Sequence, residues 1–230
     1  MNRIIIQARM GSSRLPGKVM MKIGRRMLLD HVIDSLEKHF DLKTISIATS
    51  TGVSDDIIEE YANQRGLHVF RGSETHVASR YFEILQLFPE CTSFFRVCAD
   101  GPLISPDSMK KALDLLPHME MVTSMPNKGY PMGMNIELIS SEVFLLSYPS
   151  FSEDAHREHV TRYFYYHAED YLMAYMGTSV ENFHYDSMKF SVDTESDLQF
   201  MTQLFLEKPQ INDLTADEKI VFVKSFLSSR

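Results

Sequence analysis

The first half of the chain alternates short apolar, β-branched runs with amphipathic segments that have the period of a helix. Strand patterns lie at 4–6, 44–48, 67–70 and 93–97, and helix patterns lie at 28–39, 55–65, 77–87 and from Pro106 onward. Gly66 stands where the second helix would end, and Ser105 stands as an N-cap before Pro106. Repeated strand–helix–strand units form right-handed crossovers, so the pattern predicts an α/β fold with a mainly parallel sheet.

The second half of the chain is less regular. Strand patterns lie at 135–139, 172–176 and 188–192, and helix patterns lie at 158–167, 194–207 and 215–229. Thr194 is the predicted N-cap of its helix, with Asp197 in the capping-box position. Because no tract has the composition of a linker, we expect a single domain over residues 1–230, with an excursion around 124–185.

Charge and hydropathy exclude several classes of protein. The formal net charge of −8 argues against a nucleic-acid partner. The apolar stretches are far shorter than the ~20 residues that a membrane span needs, and three apolar residues before Gln7 are too few for a signal peptide. Cys91 and Cys98 lack the spacing of a redox or metal motif, so we expect buried thiols and a reducing, cytoplasmic location.

The segment that directly follows the first predicted strand, QARMGSSRLPGK, has the composition of a phosphate-binding loop. Glycines and serines let the backbone approach phosphate oxygens, and successive N–H groups can form an anion nest. Arg9, Arg14 and Lys18 add three cations that suit a polyphosphate. The surrounding residues 1–29 hold seven Lys or Arg and no Asp or Glu. This density of donors favours a triphosphate site over a solvated turn.

The same segment is not a Walker A motif. The interval from Gly11 to Gly17 is one residue too long, and Val19 stands where that motif has Ser or Thr. A different class of nucleotide-binding loop is therefore indicated.

Two aspartates follow predicted strands. Asp100 comes after the strand at 93–97, and Asp193 comes after the one at 188–192. A single Asp in such a place more often caps its own turn. Two of them could share one Mg²⁺, which prefers a few oxygen ligands together with substrate phosphates. Their separation in sequence does not show whether they meet.

A cluster of ionisable residues, Arg157, Glu158 and His159, opens the predicted helix at 158–167. Such a cluster is compatible with acid–base chemistry. A histidine at a helix start is more often structural, so the pattern assigns it no catalytic role. The aromatic run at 163–166 is expected in the core or at a subunit interface.

Taken together, these motifs resemble those of the cytidylyltransferases that activate sugar acids. The resemblance is strongest to the spore-coat polysaccharide biosynthesis type, and extends more distantly to acylneuraminate and 3-deoxy-manno-octulosonate cytidylyltransferases. It is carried by QARMGSSRLPGKVM, IATS, VFRGSE, RVCADGPLI, YPMGMNIE, REHVT and SVDTESDL, which keep the family order from residue 3 to about residue 200. It implies a Rossmann-like nucleotide-diphospho-sugar transferase fold, with three layers and a mixed, mainly parallel sheet.

The resemblance also implies roles for individual residues. Lys18, Arg14 and Asp100 would be catalytic, and Asp100 and Asp193 would hold Mg²⁺ as the cofactor. The nucleotide would be bound by Gln7, Ala8, Arg9, Gly11, Ser12, Ser13, Arg14, Lys18, Ala48, Thr49, Arg71 and Arg80. The acceptor would be bound by Tyr130, Asn135, Glu137, Arg157 and His159. The excursion around 124–185 would lie on the acceptor side or form a homodimer contact, since relatives are often dimers.

The chain departs from the family pattern in two places. Ala99-Asp100-Gly101-Pro102 replaces the more common Gly-Asp-Cys-Pro, but the aspartate is kept. The segment YPMGMN replaces Tyr-Pro-Asp-Gly-Leu-Asp, so Met132 and Asn135 stand where the family often has acids. Since this segment is expected to face the acceptor, the identity of the acceptor stays open.

The predicted activity is therefore a Mg²⁺-dependent transfer of CMP from CTP to a small sugar acid, with release of pyrophosphate. The partners are CTP and the acid, without nucleic acid or membrane. Two alternatives remain at this point. One is a sugar-1-phosphate nucleotidyltransferase that uses another nucleotide, and the other is a relative that binds nucleotide without turnover.

Overall fold

The strands form one large sheet and one small ribbon. The computed structural model describes residues 1–125 and 129–229. The strands are β1 (Asn2–Gln7), β2 (Lys22–Ile23), β3 (Arg26–Met27), β4 (Ile45–Ser50), β5 (His68–Gly72), β6 (Ser93–Cys98), β7 (Met121–Thr123), β8 (Glu137–Ser140) and β9 (Met173–Tyr175). β2 and β3 pair only with each other, as an antiparallel ribbon that follows the glycine-rich loop.

The helices follow most of the periodic segments. They are α1 (Leu28–Glu37), α2 (Asp56–Gln64), α3 (Val77–Leu87), α4 (Pro106–Leu115), α5 (Ser141–Ser147), α6 (Asp154–Glu158), α7 (Arg162–Tyr166), α8 (Glu195–Glu207) and α9 (Ala216–Ser228). Gly66 has the left-handed φ of 67° expected after α2. Thr194 and Asp197 form the predicted capping box of α8. None of these helices is long and apolar enough to cross a membrane.

The large sheet has seven strands in the order β5-β4-β1-β6-β8-β7-β9. β5, β4, β1 and β6 are parallel to one another, whereas β8 runs antiparallel to both β6 and β7. β7 and β9 are again parallel. The prediction of a mixed, mainly parallel sheet is confirmed.

Helices cover both faces of the sheet. Side chains alternate along a strand, so Ile4 and Ile6 pack into one core with Val32 of α1, whereas Ile5 packs into a second core with Tyr81 of α3. All five side chains are at most 2% exposed. Burial on both faces explains why β1 is continuously apolar rather than alternating, and it produces the predicted three-layer architecture.

Two predicted elements are wrong. The segment 188–192 is extended but forms only an isolated bridge, between Lys189 and Met132. Its backbone bonds to Met132 O through Phe190 N and then to Asp100 O through Val192 N, so it changes partner too soon to form a ladder. In place of the predicted helix at 158–167, the chain forms two short helices, because α6 ends at Glu158 and α7 begins at Arg162. The chain leaves helical geometry at His159.

The predicted excursion at 124–185 includes residues 126–128, which lie outside the described residues. Its described part contains β8 and β9, which belong to the main sheet, and the helices α5 to α7 between them. The role of this segment toward an acceptor or a second copy of the chain stays a prediction.

Candidate active site

The site lies at the carboxyl ends of the parallel strands. Gln7, the last residue of β1, is in register with Ala48 of β4 and with Cys98 of β6. The loops that follow these three strands therefore emerge side by side, where ligands bind in open α/β sheets.

The first of these loops is held in a compact turn by its own backbone. The carbonyl of Met10 accepts hydrogen bonds from the backbone N–H groups of Ser12 and Gly17, both at 2.9 Å. Gly17 has a φ of 73°, a conformation that disfavours other residues. Leu15 is buried and anchors the loop to the core. The loop thus presents Ser12, Ser13 and Arg14 toward a cavity.

A buried carboxylate that sequence reasoning missed ties this loop to the next one. Asp55 is 1% exposed and accepts hydrogen bonds from Met10 N at 2.7 Å and from Ser50 N at 3.1 Å. Burial opposes ionisation, but these hydrogen bonds outweigh it and lower the pKa of Asp55. Asp55 opens the predicted helix at 55–65, where acidic residues are common, so the local pattern does not distinguish it.

Lys18 joins the two aspartates that the sequence placed after separate strand patterns. Its Nζ donates to Asp100 Oδ2 at 2.8 Å, to Asp193 Oδ1 at 2.9 Å and to the carbonyl of Val192 at 2.7 Å. The tertiary structure therefore brings the phosphate loop and both carboxylates to one point.

Close backbone packing holds the two aspartates together. Val192 N donates to Asp100 O at 2.8 Å. A Cβ atom on Gly101 would lie 2.1 Å from the carbonyl oxygen of Gly133, and Gly133 has a φ of 95°. Only glycine fits at either position, so three separate segments can meet at the site.

Cations surround Asp193. Besides Lys18, Arg14 Nη2 lies 3.0 Å from Asp193 Oδ1, and Lys189 Nζ lies 2.9 Å from Asp193 Oδ2. Burial disfavours the charged carboxylate, but hydrogen bonds and charge from Lys18 and Lys189 outweigh that effect and lower the pKa of Asp193 to about 2. Burial likewise opposes the charge of Lys18, whose pKa is nevertheless raised by Asp100 and Asp193. Asp193 and Lys18 are therefore both charged at neutral pH.

The two carboxylates fit the ligand chemistry of Mg²⁺. Oxygens of Asp100 and Asp193 converge within 3 Å of the same cationic nitrogen, so the fold already directs both toward a single positive charge. The described residues contain no cluster of three or more potential ligands. Two carboxylates with substrate phosphates completing the shell is the arrangement that Mg²⁺ commonly adopts.

Two adjoining cavities flank the aspartates and share the residues Arg96, Cys98, Asp100 and Asp193. One cavity, of about 340 Å³, is lined by the glycine-rich loop and is called here the loop cavity. The other, of about 210 Å³, is lined further by Met132, Gly133, Asn135, Glu137 and Ser191 and is called the inner cavity. Cys98, expected to be a buried thiol, is partly exposed between them.

The predicted nucleotide-binding residues divide into two groups. The loop cavity is lined by Gln7, Arg9, Ser12, Ser13, Arg14 and Lys18. Ala48 and Thr49 are fully buried in β4, the strand that pairs with β1.

Two further predicted nucleotide contacts, Arg71 and Arg80, are engaged by protein groups. Arg71 binds the carboxylates of Asp56 and Glu59, each at 2.6 Å. Arg80 is fully buried, and its guanidinium donates to the carbonyls of Ser73 and Glu74. Neither arginine is among the residues that line the loop cavity or the inner cavity.

The predicted acceptor residues also divide. Asn135 and Glu137 line the inner cavity, and His159 lines the loop cavity. Tyr130 is 3% exposed and shares a hydrogen bond with Ser108, so it contributes to the core beneath the site. Arg157 is exposed and faces a separate cavity beside α6.

A buried polar network backs the inner cavity. Glu137 accepts hydrogen bonds from Arg96 Nη1 at 2.7 Å, Thr161 Oγ1 at 2.6 Å and Tyr165 OH at 2.5 Å. The sequence motif around residue 100 began with Arg96, but sequence reasoning gave this residue no role. Its pairing with Glu137 depends on the antiparallel direction of β8, which local patterns do not report.

The described geometry agrees with comparisons to known proteins. The sequence profile of the family described as "Cytidylyltransferase" matches residues 3–220. The chain is 29% identical over 225 residues to the spore coat polysaccharide biosynthesis protein SpsF of Bacillus subtilis, with 95% of this chain and 92% of that protein covered.

Solved structures share the fold. A cytidylyltransferase from Leptospira borgpetersenii superposes with a TM-score of 0.89 at 24% identity, covering 99% of this chain and 95% of that one. A CMP:2-keto-3-deoxy-manno-octonic acid synthetase solved with CTP superposes with a TM-score of 0.65 at 17% identity, covering 90% of this chain and 99% of that one.

Proposed function

Since this chain belongs to the cytidylyltransferase family, we propose that it transfers the cytidylyl group of CTP to a small sugar acid and releases pyrophosphate. The product would be a CMP-activated sugar for surface polysaccharide or glycan synthesis. The observation that carries this proposal is the contact of Lys18 with both Asp100 and Asp193 at the boundary of the two cavities. Similarity to the B. subtilis spore coat polysaccharide biosynthesis protein and to the CTP-bound synthetase supports it.

In this proposal each of the two cavities takes one substrate. The loop cavity carries Arg9, Arg14 and Lys18, which suits the triphosphate. The inner cavity carries fewer cations and adds Met132 and Asn135, which suits a partly apolar, hydroxylated acceptor. The α-phosphate would lie where the cavities meet, beside the two aspartates.

The reaction is an in-line displacement. The acceptor hydroxyl oxygen forms a bond to the α-phosphorus, the bond from that phosphorus to the bridging oxygen breaks, and pyrophosphate leaves with the electron pair. The hydroxyl proton passes to solvent. Lys18 and Arg14 stabilise the charge that develops on the leaving pyrophosphate. Mg²⁺ held by Asp100 and Asp193 would supply charge neutralisation at the α-phosphate when bound.

Most of the rate enhancement would come from positioning and electrostatics, because phosphoryl chemistry requires little covalent participation by the protein. Asp193 is a weak base at neutral pH, since its pKa lies at about 2. Asp193 is therefore not assigned the role of general base.

A thermal-melt panel with ATP, GTP, UTP and CTP, each with and without Mg²⁺, tests the nucleotide half. CTP at about a hundred times its dissociation constant should stabilise the fold by roughly 2.7 kcal/mol, with a larger shift when Mg²⁺ is present. Asp100→Asn should lose the Mg²⁺-dependent part, and Asp114→Asn, an exposed change on α4, should not. A preference for UTP or GTP would instead indicate a sugar-1-phosphate nucleotidyltransferase.

Pyrophosphate release with CTP and a panel of acids tests the transfer half. The panel contains 2-keto-3-deoxy-manno-octonic acid, N-acetylneuraminic acid and a small hydroxyphosphonate. Asp100→Asn should lower kcat by about two orders of magnitude or more with the acid that reacts. Stabilisation by CTP without turnover of any acid would support a binding protein rather than an enzyme of this specificity.

A further inference from the structure

Arg96 lies on the wall that the two cavities share, and one edge of its guanidinium makes only one long contact with the protein. Nη1 donates to Glu137 Oε2 at 2.7 Å. The opposite edge is formed by Nε and Nη2. Nη2 makes a long hydrogen bond of 3.4 Å to Gln7 Oε1, and Nε has no hydrogen-bond partner among the described residues. A buried donor without a partner is uncommon in folded proteins and calls for an explanation.

The network behind Arg96 fixes the orientation of that edge. Glu137 is 5% exposed, and Thr161 and Tyr165 bind its Oε1, so Oε2 is directed to Arg96. Thr161 stands in the break between α6 and α7, where the chain turns it inward. Glu137 therefore neutralises and orients Arg96 from behind, and leaves the Nε–Nη2 edge for another group.

The chemistry of that edge matches a carboxylate. A guanidinium edge presents two parallel N–H groups, which bind both oxygens of a planar carboxylate. Asn135 also lines the inner cavity, and its buried Oδ1 is a second polar atom without a hydrogen-bond partner among the described residues. Ile104 and Met132 supply apolar surface in the same cavity.

The position of Arg96 also restricts where the carboxylate stands on the acceptor. Arg96 and Asp100 both line the two cavities, so a group bound to Arg96 lies close to the site proposed for the α-phosphate. We propose that Arg96 binds the carboxylate of the acceptor and thereby selects acids whose carboxylate is adjacent to the attacking hydroxyl. This inference rests on the proposed cytidylyl transfer.

The test compares each carboxylic acid of the panel with its primary amide, using CTP and pyrophosphate release. The amide keeps the size of the carboxylate but removes its charge and one acceptor oxygen. One variant is Arg96→Lys, which keeps the positive charge but removes the two parallel N–H groups. The other is the double change Arg96→Gln/Glu137→Gln, which avoids leaving Glu137 as an unpaired buried charge. Tyr165→Phe, which leaves Arg96 unchanged, is the control for general disturbance of the network.

The wild type should prefer the acid over the amide by kcat/KM, and both Arg96 variants should lose roughly 10- to 100-fold of that preference. The Tyr165→Phe control should keep both the preference and the stabilisation by CTP. A purely structural role would lower turnover of acid and amide equally, so an unchanged ratio in both Arg96 variants overturns the inference while the proposed function stands. Failure of the wild type to use any acid would overturn the proposed function instead, and the inference with it.

Discussion

The Nζ of Lys18 lies 2.9 Å from Asp193 Oδ1, although the two residues are 175 positions apart in the chain. The same nitrogen lies 2.8 Å from Asp100, so a single ammonium neutralises both carboxylates. A divalent cation at this point would compete with Lys18 for the same oxygens. If nucleotide binds in the loop cavity as proposed, we expect Lys18 to exchange the aspartates for a phosphate.

Replacement of Lys18 by Met should therefore separate two effects. Turnover should fall by about two orders of magnitude, because a cation that stabilises the leaving group is lost. Stabilisation by MgCl₂ without nucleotide should increase, since the aspartates no longer have the ammonium between them. Thermal melts of the wild type, Lys18→Met and the exposed control Lys22→Met check this. Equal Mg²⁺ shifts in all three proteins would contradict a cation site at Asp100 and Asp193.

The hydrogen bonds of Asp55 predict a role in holding the glycine-rich loop. Asp55→Asn removes one acceptor from a buried group that binds Met10 N and Ser50 N, which should cost about 1–3 kcal/mol. The KM for CTP should rise more than the KM for the acceptor, because the loop lines only the nucleotide side. Steady-state kinetics with Asp56→Asn as the neighbouring exposed control measure the difference. Equal increases in both KM values would show that Asp55 does not act through the loop.

Close packing at Gly101 predicts a loss of both stability and activity. The Cβ of Gly101→Ala would lie 2.1 Å from a backbone oxygen, so the segments that carry Asp100 and Gly133 must separate. We expect destabilisation of about 1–3 kcal/mol and a lower kcat per folded molecule.

Gly66→Ala is the control for the change at Gly101. Its φ of 67° costs stability, roughly 1–2 kcal/mol, but nothing lies within 4 Å of the added Cβ. Urea denaturation and kcat should separate the two variants, with activity retained only in Gly66→Ala. Full activity of folded Gly101→Ala would show that the site tolerates the displacement.

Lys219 predicts a pH dependence of stability. It is fully buried on α9 and donates to the carbonyl of Ile104 at 2.7 Å. Burial lowers the pKa of Lys219 to about 8 from its ordinary value of 10.5. Below pH 8 the folded and unfolded states are both protonated, and the charged lysine costs the fold on the order of 3 kcal/mol. Between about pH 8 and 10.5 only the unfolded state keeps the proton, so this cost is relieved as pH rises.

The comparison of wild type with Lys219→Met isolates that contribution. The free energy of unfolding of the wild type, relative to the variant, should increase from pH 8 to pH 10. Exposed Lys224→Met, on the same helix, should show no such trend relative to the wild type. Urea denaturation at a series of pH values provides the measurement. A constant difference for Lys219→Met would mean that Lys219 stays protonated in the fold throughout this range.

Local sequence patterns were sufficient for the elements that lie in a regular α/β repeat. The β-branched run of β1, the helix end at Gly66 and the capping box at Thr194 each depend on residues within a few positions of one another. The glycine-rich loop was equally predictable, because its glycines, serines and cations lie close together in the sequence. Elements in the second half were harder to predict. The extended segment at 188–192 has the composition of a strand, but its pairing is decided by two different segments.

The sequence by itself therefore determined the fold class. It also indicated the glycine-rich loop as the expected nucleotide site and the two aspartates as candidate metal ligands. Only the tertiary structure decided that Lys18 joins those aspartates, that Asp55 anchors the loop, and that Arg96 is oriented by Glu137. The physical reason is the range of the interactions. Periodicity and caps report contacts between near neighbours, whereas strand order and direction depend on pairings between distant segments. The antiparallel direction of β8, which places Glu137 beside Arg96, is of the second kind.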